Sequence, residues 1–187
     1  FEPRDLDSPV FPLVRCVQEI PCDPCTAACP HGLITMEGSI LSLPEFKGEC
    51  QACGRCVLAC PGLAIQLVVN DYDPSGEKAL VLIPCEFNAE VAPPGSVVTT
   101  TDMVGNAVGK GRVIAIRKRE DQDRRRLLFL EVPARDKLQG AGFRVREPEE
   151  GTPVTVDDME EADPIICRCE RVRKSEIVEQ IRAGIRD

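Results

Sequence analysis

Tryptophan is absent from this chain of 187 residues, tyrosine and histidine occur once each, and aromatic residues make up only 4%. Hydrophobic residues still reach 43%. A core so poor in large rings must be filled by something else, and inorganic clusters would serve. Long apolar runs are missing too, as is a signal peptide, so no membrane insertion is expected. Positive charge is in deficit: 23 Lys and Arg stand against 31 Asp and Glu, a formal net charge of −8. That balance argues against a nucleic-acid partner. No acid–base pair, Ser/His/Asp set or phosphate loop can be read. The run GNAVGKG (105–111) lacks phosphate-loop spacing and has no Ser or Thr after its lysine, so it reads as a turn. The chain opens on Phe1 and not on an initiator Met, as a processed or trimmed fragment would.

What the sequence has in excess is cysteine, eleven in all. An odd number clustered at x2 and x3 spacings argues for metal ligation in a reducing, cytoplasmic compartment and against a disulfide framework. The densest run is CQACGRCVLACP, Cys50 to Pro61. Its spacing, C-x2-C-x2-C-x3-C followed by proline, is that of a bacterial iron–sulfur loop. Three thiolates of such a loop curl onto three corners of a cuboidal cluster, with backbone N–H groups aimed at the sulfurs. The fourth cysteine, on a short helical turn stopped by the proline, points away towards another cluster. Zinc is the competing metal, but structural zinc sites usually take two C-x2-C pairs far apart in sequence.

A second run, CVQEIPCDPCTAACP (Cys16 to Pro30), repeats the pattern with one irregularity. Cys22, Cys25, Cys29 and Pro30 match, but Glu19 stands where the first cysteine belongs, and Cys16 lies three residues earlier. CDPCTAACPHGLITM aligns with CGRCVLACPGLAIQL as an internal repeat, and each proline leads into a short apolar strand. Over about residues 16–70 the chain resembles the two-cluster bacterial ferredoxins. The resemblance implies a pseudo-symmetric α+β module holding two [4Fe-4S] clusters. Carried over by position, Cys50, Cys53, Cys56 and Cys29 ligate one cluster, and Cys22, Cys25 and Cys60 the other. Cys16 is the favoured fourth ligand of the latter, because iron of this kind prefers thiolate to the Glu19 carboxylate. The Glu19 carboxylate as ligand and an empty corner giving a [3Fe-4S] centre are the two alternatives. His31 matches no ligand position and reads as a surface residue that tunes potential.

Beyond Asp71 the sequence changes character. KALVLIP (78–84), GRVIAIRK (111–118) and RLLFLEVP (126–133) read as strands of a small β-rich domain, a partial barrel. The charged run KREDQDRRR (118–126) reads as an exposed hairpin loop, solvated or docked on an acidic partner surface. The isolated Cys85 reads as a buried small hydrophobe. Eight acids within 147–163 mark a linker. After it, Cys167 and Cys169 form a C-x-C, followed by a helix capped by Ser175, with Glu176 in its first turn and Gly184 at its end. The stripe of that helix is Ile177, Val178 and Ile181.

This last stretch resembles the first half of the [2Fe-2S] domain of bacterioferritin-associated ferredoxin, which needs a second cysteine pair to complete its cluster. Either those ligands lie outside this chain, or the segment is a relic or a small helical cap. The expected class is therefore α+β: an extended arm (1–15), a two-[4Fe-4S] ferredoxin-like module (16–72), a small β-rich domain (73–146), an acidic linker (147–164) and a C-terminal helical segment (165–187). Such an assembly is similar to iron–sulfur subunits of multi-subunit flavin-dependent dehydrogenases of proline, hydroxyproline, sarcosine or opines. That likeness implies a hetero-oligomer in which this chain carries single electrons to or from FAD or FMN on a flavoprotein dehydrogenase partner. A free-standing ferredoxin-like carrier and a structural zinc assembly protein are the alternatives.

Overall fold

A near-continuous apolar run makes a strand that can be buried on both faces, and two such strands form the centre of this protein. The computed structural model describes residues 8–17, 19–87, 89–120, 125–145, 165–167 and 172–183. The acidic linker, the tip of the charged hairpin (121–124), Cys169 and Gly184 lie outside the described residues. The chain divides into two compact units, 1–147 and 148–187.

In the first unit, β5 (Lys78–Cys85) and β8 (Arg126–Pro133) pair antiparallel along eight residues, from Lys78 against Pro133 to Cys85 against Arg126. Val81, Ile83, Leu128 and Leu130 point to one face, and Leu82 and Leu127 to the other; all six are buried. Around this pair a seven-stranded antiparallel sheet forms in the order β1-β4-β5-β8-β7-β6-β9. Its other members are β1 (Val10–Val14), β4 (Ile65–Val69), β6 (Val97–Thr101), β7 (Ala107–Lys118) and β9 (Gly142–Arg144). A separate two-stranded ribbon joins β2 (Ile34–Thr35) to β3 (Glu45–Phe46).

The expected α+β class, with its self-contained two-cluster ferredoxin-like module, is corrected by this topology. The described residues are mostly β, with short helices only among them, and β4, the strand that follows the second cysteine run, belongs to the large sheet. β4, which follows the second cysteine run, pairs with β5 from beyond Asp71. β1, within the segment read as an extended arm, pairs with β4 over five residues. Pro12 is tolerated there because an edge strand need not donate every N–H. The physical reason for the merger is burial on both faces. β4 is buried at Ile65, Leu67 and Val68, so it needs neighbours that a short isolated module would not supply.

Two irregularities bend the sheet. Register shifts fall between Val113 and Ala115 and between Thr100 and Thr101, as bulges do where strands curl. The curl brings the segment before β9 back to the opposite edge, where Arg15 Nη2 donates to the Leu138 and Gly140 carbonyls at 2.6 and 3.1 Å. The turn expected over 105–111 is confined to its start, at Gly105 (φ 93°); Gly109 and Gly111 lie inside β7. A Cβ on Gly109 would sit 2.8 Å from Asp136 Oδ2, so the close approach of that carboxylate requires glycine.

The second unit contains a small ribbon of β10 (Ile165–Cys167) and β11 (Val172–Arg173), then a helix over Lys174–Arg182. Ile177 and Ile181, on the stripe read from the sequence, are exposed.

Leu128 is fully buried between the sheet strands. Leu128→Ala should cost about 2–5 kcal/mol through lost transfer energy and the cavity left behind. Urea unfolding of the full chain checks this, and a loss under about 1 kcal/mol would contradict the core assignment.

Candidate functional site

Each cysteine run contains one short helix. α1 (Pro24–Ala28) and α2 (Arg55–Ala59) stand 31 residues apart, at the two ends of the internal repeat. Five residues are too few to hold a helix alone, so burial must do it. Val57 and Leu58 of α2 are essentially inaccessible and share one core with Leu82 and Leu127 of the sheet. Gly54 caps α2 at φ 72°, and a Cβ built there would collide with the Leu127 side chain. Gly54→Ala should therefore add backbone strain to a steric clash, lowering Tm by several degrees in a thermal scan.

Each helix ends on a cysteine in extended conformation, Cys29 and Cys60, and a proline follows. The chain then turns through Gly32 (φ 62°) or Leu63 (φ 52°). Leu33 N–H so returns to Cys29 Sγ at 3.4 Å, and Ala64 N–H to Cys60 Sγ at 3.3 Å. Backbone N–H groups of Thr26, Ala52 and Val57 likewise favour the thiolates of Cys25, Cys50 and Cys56. Ala52 reaches its sulfur by adopting φ 53°. Hydrogen bonds of this kind to sulfur stabilise negative charge there.

The thiols gather in two groups that cross the repeat. Cys56 is pushed up to about 12 by burial first, and then by Cys50, Cys53 and Cys29. Burial likewise raises Cys50, with Cys53 and Cys29 adding to it. Burial raises Cys25 in the other group, where its neighbours are Cys60 and Cys22. Cys29 from the first run thus sits with Cys50, Cys53 and Cys56 of the second, and Cys60 sits with Cys22 and Cys25 of the first. Cys29, Cys50, Cys53 and Cys56 line a small cavity, partly open to solvent, whose apolar walls include Pro12, Ile34, Phe46 and Leu67.

A tetrahedral zinc with Zn–S near 2.3 Å needs its sulfurs within about 4 Å of one another. Among the described residues, no three Cys, His, Asp or Glu side chains are grouped to hold a metal ion. Cys29, Cys50 and Cys56 accept backbone N–H bonds on sulfur, and such a thiolate donor set is chemically suited to an iron–sulfur group.

The other candidates fall in different places. Cys16 is half-buried and packs on the core that contains Cys25 and Cys60, just beyond β1, where Arg15 N–H bonds the Ala64 carbonyl at 2.7 Å. Glu19 is exposed. His31 is exposed at the rim of the cavity. Cys85 is buried in the opposite core, its Sγ 3.7 Å from the Phe87 carbonyl. Cys167 ends β10, and Cys169 lies outside the described residues.

Sequence reasoning missed two residues beside these groups. Arg125 Nη1 donates to the carbonyls of Leu58 and Cys60 at 3.0 and 2.7 Å, and its Nε reaches Glu86 Oε1 at 3.4 Å. Arg119 Nη1 donates to the Cys53 carbonyl at 3.4 Å. The flanks of the charged hairpin are therefore not merely solvated. Arg125 also places a cation at the C-terminal end of α2, where carbonyls lack helical partners.

No family model, curated protein or solved structure matches this chain. Among the described residues, no helix is long and apolar enough to cross a membrane.

Cys25, Cys50, Cys56 and Cys85 are all held protonated more firmly in the fold than an ordinary thiol, chiefly by burial. In the metal-free chain they contribute stability that is complete below the ordinary thiol pKa and lost as pH rises through the folded values. Metal-free protein should therefore melt at progressively lower temperature as pH rises from about 9 to about 12. Cys56→Ala should flatten that slope; an unaltered slope would assign the alkaline loss to other groups.

Proposed function

We propose that this chain is an electron-transfer subunit holding two [4Fe-4S] clusters and exchanging single electrons with a flavin on a partner dehydrogenase. The observation that carries the reading is the meeting of Cys29 with Cys50, Cys53 and Cys56 around one cavity. Thiols from two separate runs that meet at one cavity are what a shared thiolate-ligated group requires. Cys22, Cys25 and Cys60 would hold the second cluster, with Cys16 as the fourth thiolate. When bound, such a cluster takes up and releases one electron without proton transfer from a side chain.

The chain's own residues do the rest. The sulfurs of Cys29 and Cys60 accept backbone N–H bonds that favour added negative charge. Pro12, Phe46 and Leu67 limit water at the cavity. The cytoplasm is the compartment proposed, since free thiols of this number persist only under reducing conditions.

Iron and acid-labile sulfide should come to about eight of each per chain in protein purified without air. EPR of the reduced sample should show coupled [4Fe-4S] signals. Cys16→Ser should remove one of them, give a three-iron signal in the oxidised sample, and leave the other cluster intact. Seven irons in the wild type would remove Cys16 as a ligand, and zinc in place of iron would sink the electron-transfer reading. Gel filtration of a native extract tests the partner: a subunit co-elutes with a flavoprotein, whereas a free carrier runs alone.

A further inference from the structure

The two arginines that flank the β7–β8 hairpin each reach a different cysteine group, and both contacts span more than sixty residues of sequence. Arg125 holds the carbonyl of Cys60, which belongs with Cys22 and Cys25. Arg119 holds the carbonyl of Cys53, which belongs with Cys29, Cys50 and Cys56. Both side chains run through part-buried surroundings, where a charge is less screened than in open solvent. Arg125 is braced further by Glu86. A hairpin rich in charge could have left all its cations in water; these two are turned inward onto the backbone of ligand cysteines.

We propose that Arg125 and Arg119 are site-specific positioning residues. Each fixes the backbone of one cysteine group and raises the midpoint potential of the cluster bound there, so that one hairpin sets the two potentials separately. The proposal rests on the electron-transfer reading above. Its physics is simple: reduction adds a negative charge, a nearby fixed cation favours that charge, and removing the cation makes reduction harder.

An anaerobic redox titration of the full chain, followed by EPR, tests it with Arg125→Gln and Arg119→Gln. Arg125→Gln should make the Cys22–Cys25–Cys60 cluster about tenfold harder to reduce, about 59 mV for one electron, while the other midpoint moves far less. Arg119→Gln should show the converse. Loss of iron from the one site alone, with the other intact, supports the positioning role in the same way. Arg125→Lys keeps the charge and should hold the wild-type midpoint. It also serves if the glutamine variant fails to fold. Unmoved midpoints, equal shifts at both sites in either variant, or a lysine variant that shifts as far as glutamine would each overturn the assignment. A wild-type chain without iron or sulfide would instead remove the electron-transfer reading itself, so the two failures are distinct.

Discussion

Val57 and Leu58 of α2 are pressed against Leu82 and Leu127 of the central strands, and the arrangement of the cysteines follows from that contact. A five-residue helix has no stability of its own, and burying two aliphatic side chains on a sheet contributes on the order of 3–6 kcal/mol. With α2 held there, Cys56 is buried within it, Cys60 emerges at its end, and Gly54 must be glycine because Leu127 occupies the space above it. The cysteine loops are thus mounted on the sheet and do not form a free module beside it.

The sharing of helices between the two groups has its own consequence. α1 contributes Cys25 to one group and ends on Cys29 in the other; α2 contributes Cys56 and ends on Cys60 in the reverse sense. Neither group can shift without moving a helix that serves both. Arg125, on the C-terminal carbonyls of α2, and the sheet beneath extend this coupling to the β-rich half of the chain. Charge and packing act on the same few backbone atoms.

Two sheet faces demand two cores, and the chain supplies them from different stretches. One face is covered by α2, Cys25 and Ile34. The other is covered by Val98 and Val113 of β6 and β7 with Ala92, and it takes in Cys85. The scarcity of aromatic residues is met here by aliphatic side chains packed at these two interfaces, with Phe11 and Phe46 at the β1 edge.

Some of this was legible in the sequence alone. Cysteine spacing is a local property, so the two runs, their repeat and the short helices between Cys22 and Cys29 and between Cys53 and Cys60 could be read from neighbours a few residues apart. The short apolar runs in 78–84 and 126–133 marked β5 and β8 for the same reason. Strand pairing is not local. Nothing in VFPLV (10–14) announced that it would pair with Ile65–Val69, nor could the length of the apolar run at β4 say which strand would lie beside it. The joining of β4 to the large sheet was therefore decided by burial on both faces of β4 and β5. The reach of Arg119 and Arg125 was equally hidden, because a charged run reads the same whether its side chains meet water or a carbonyl more than sixty residues away. Local chemistry was written in the spacing; which partners that chemistry would meet was settled only when the sheet closed over it.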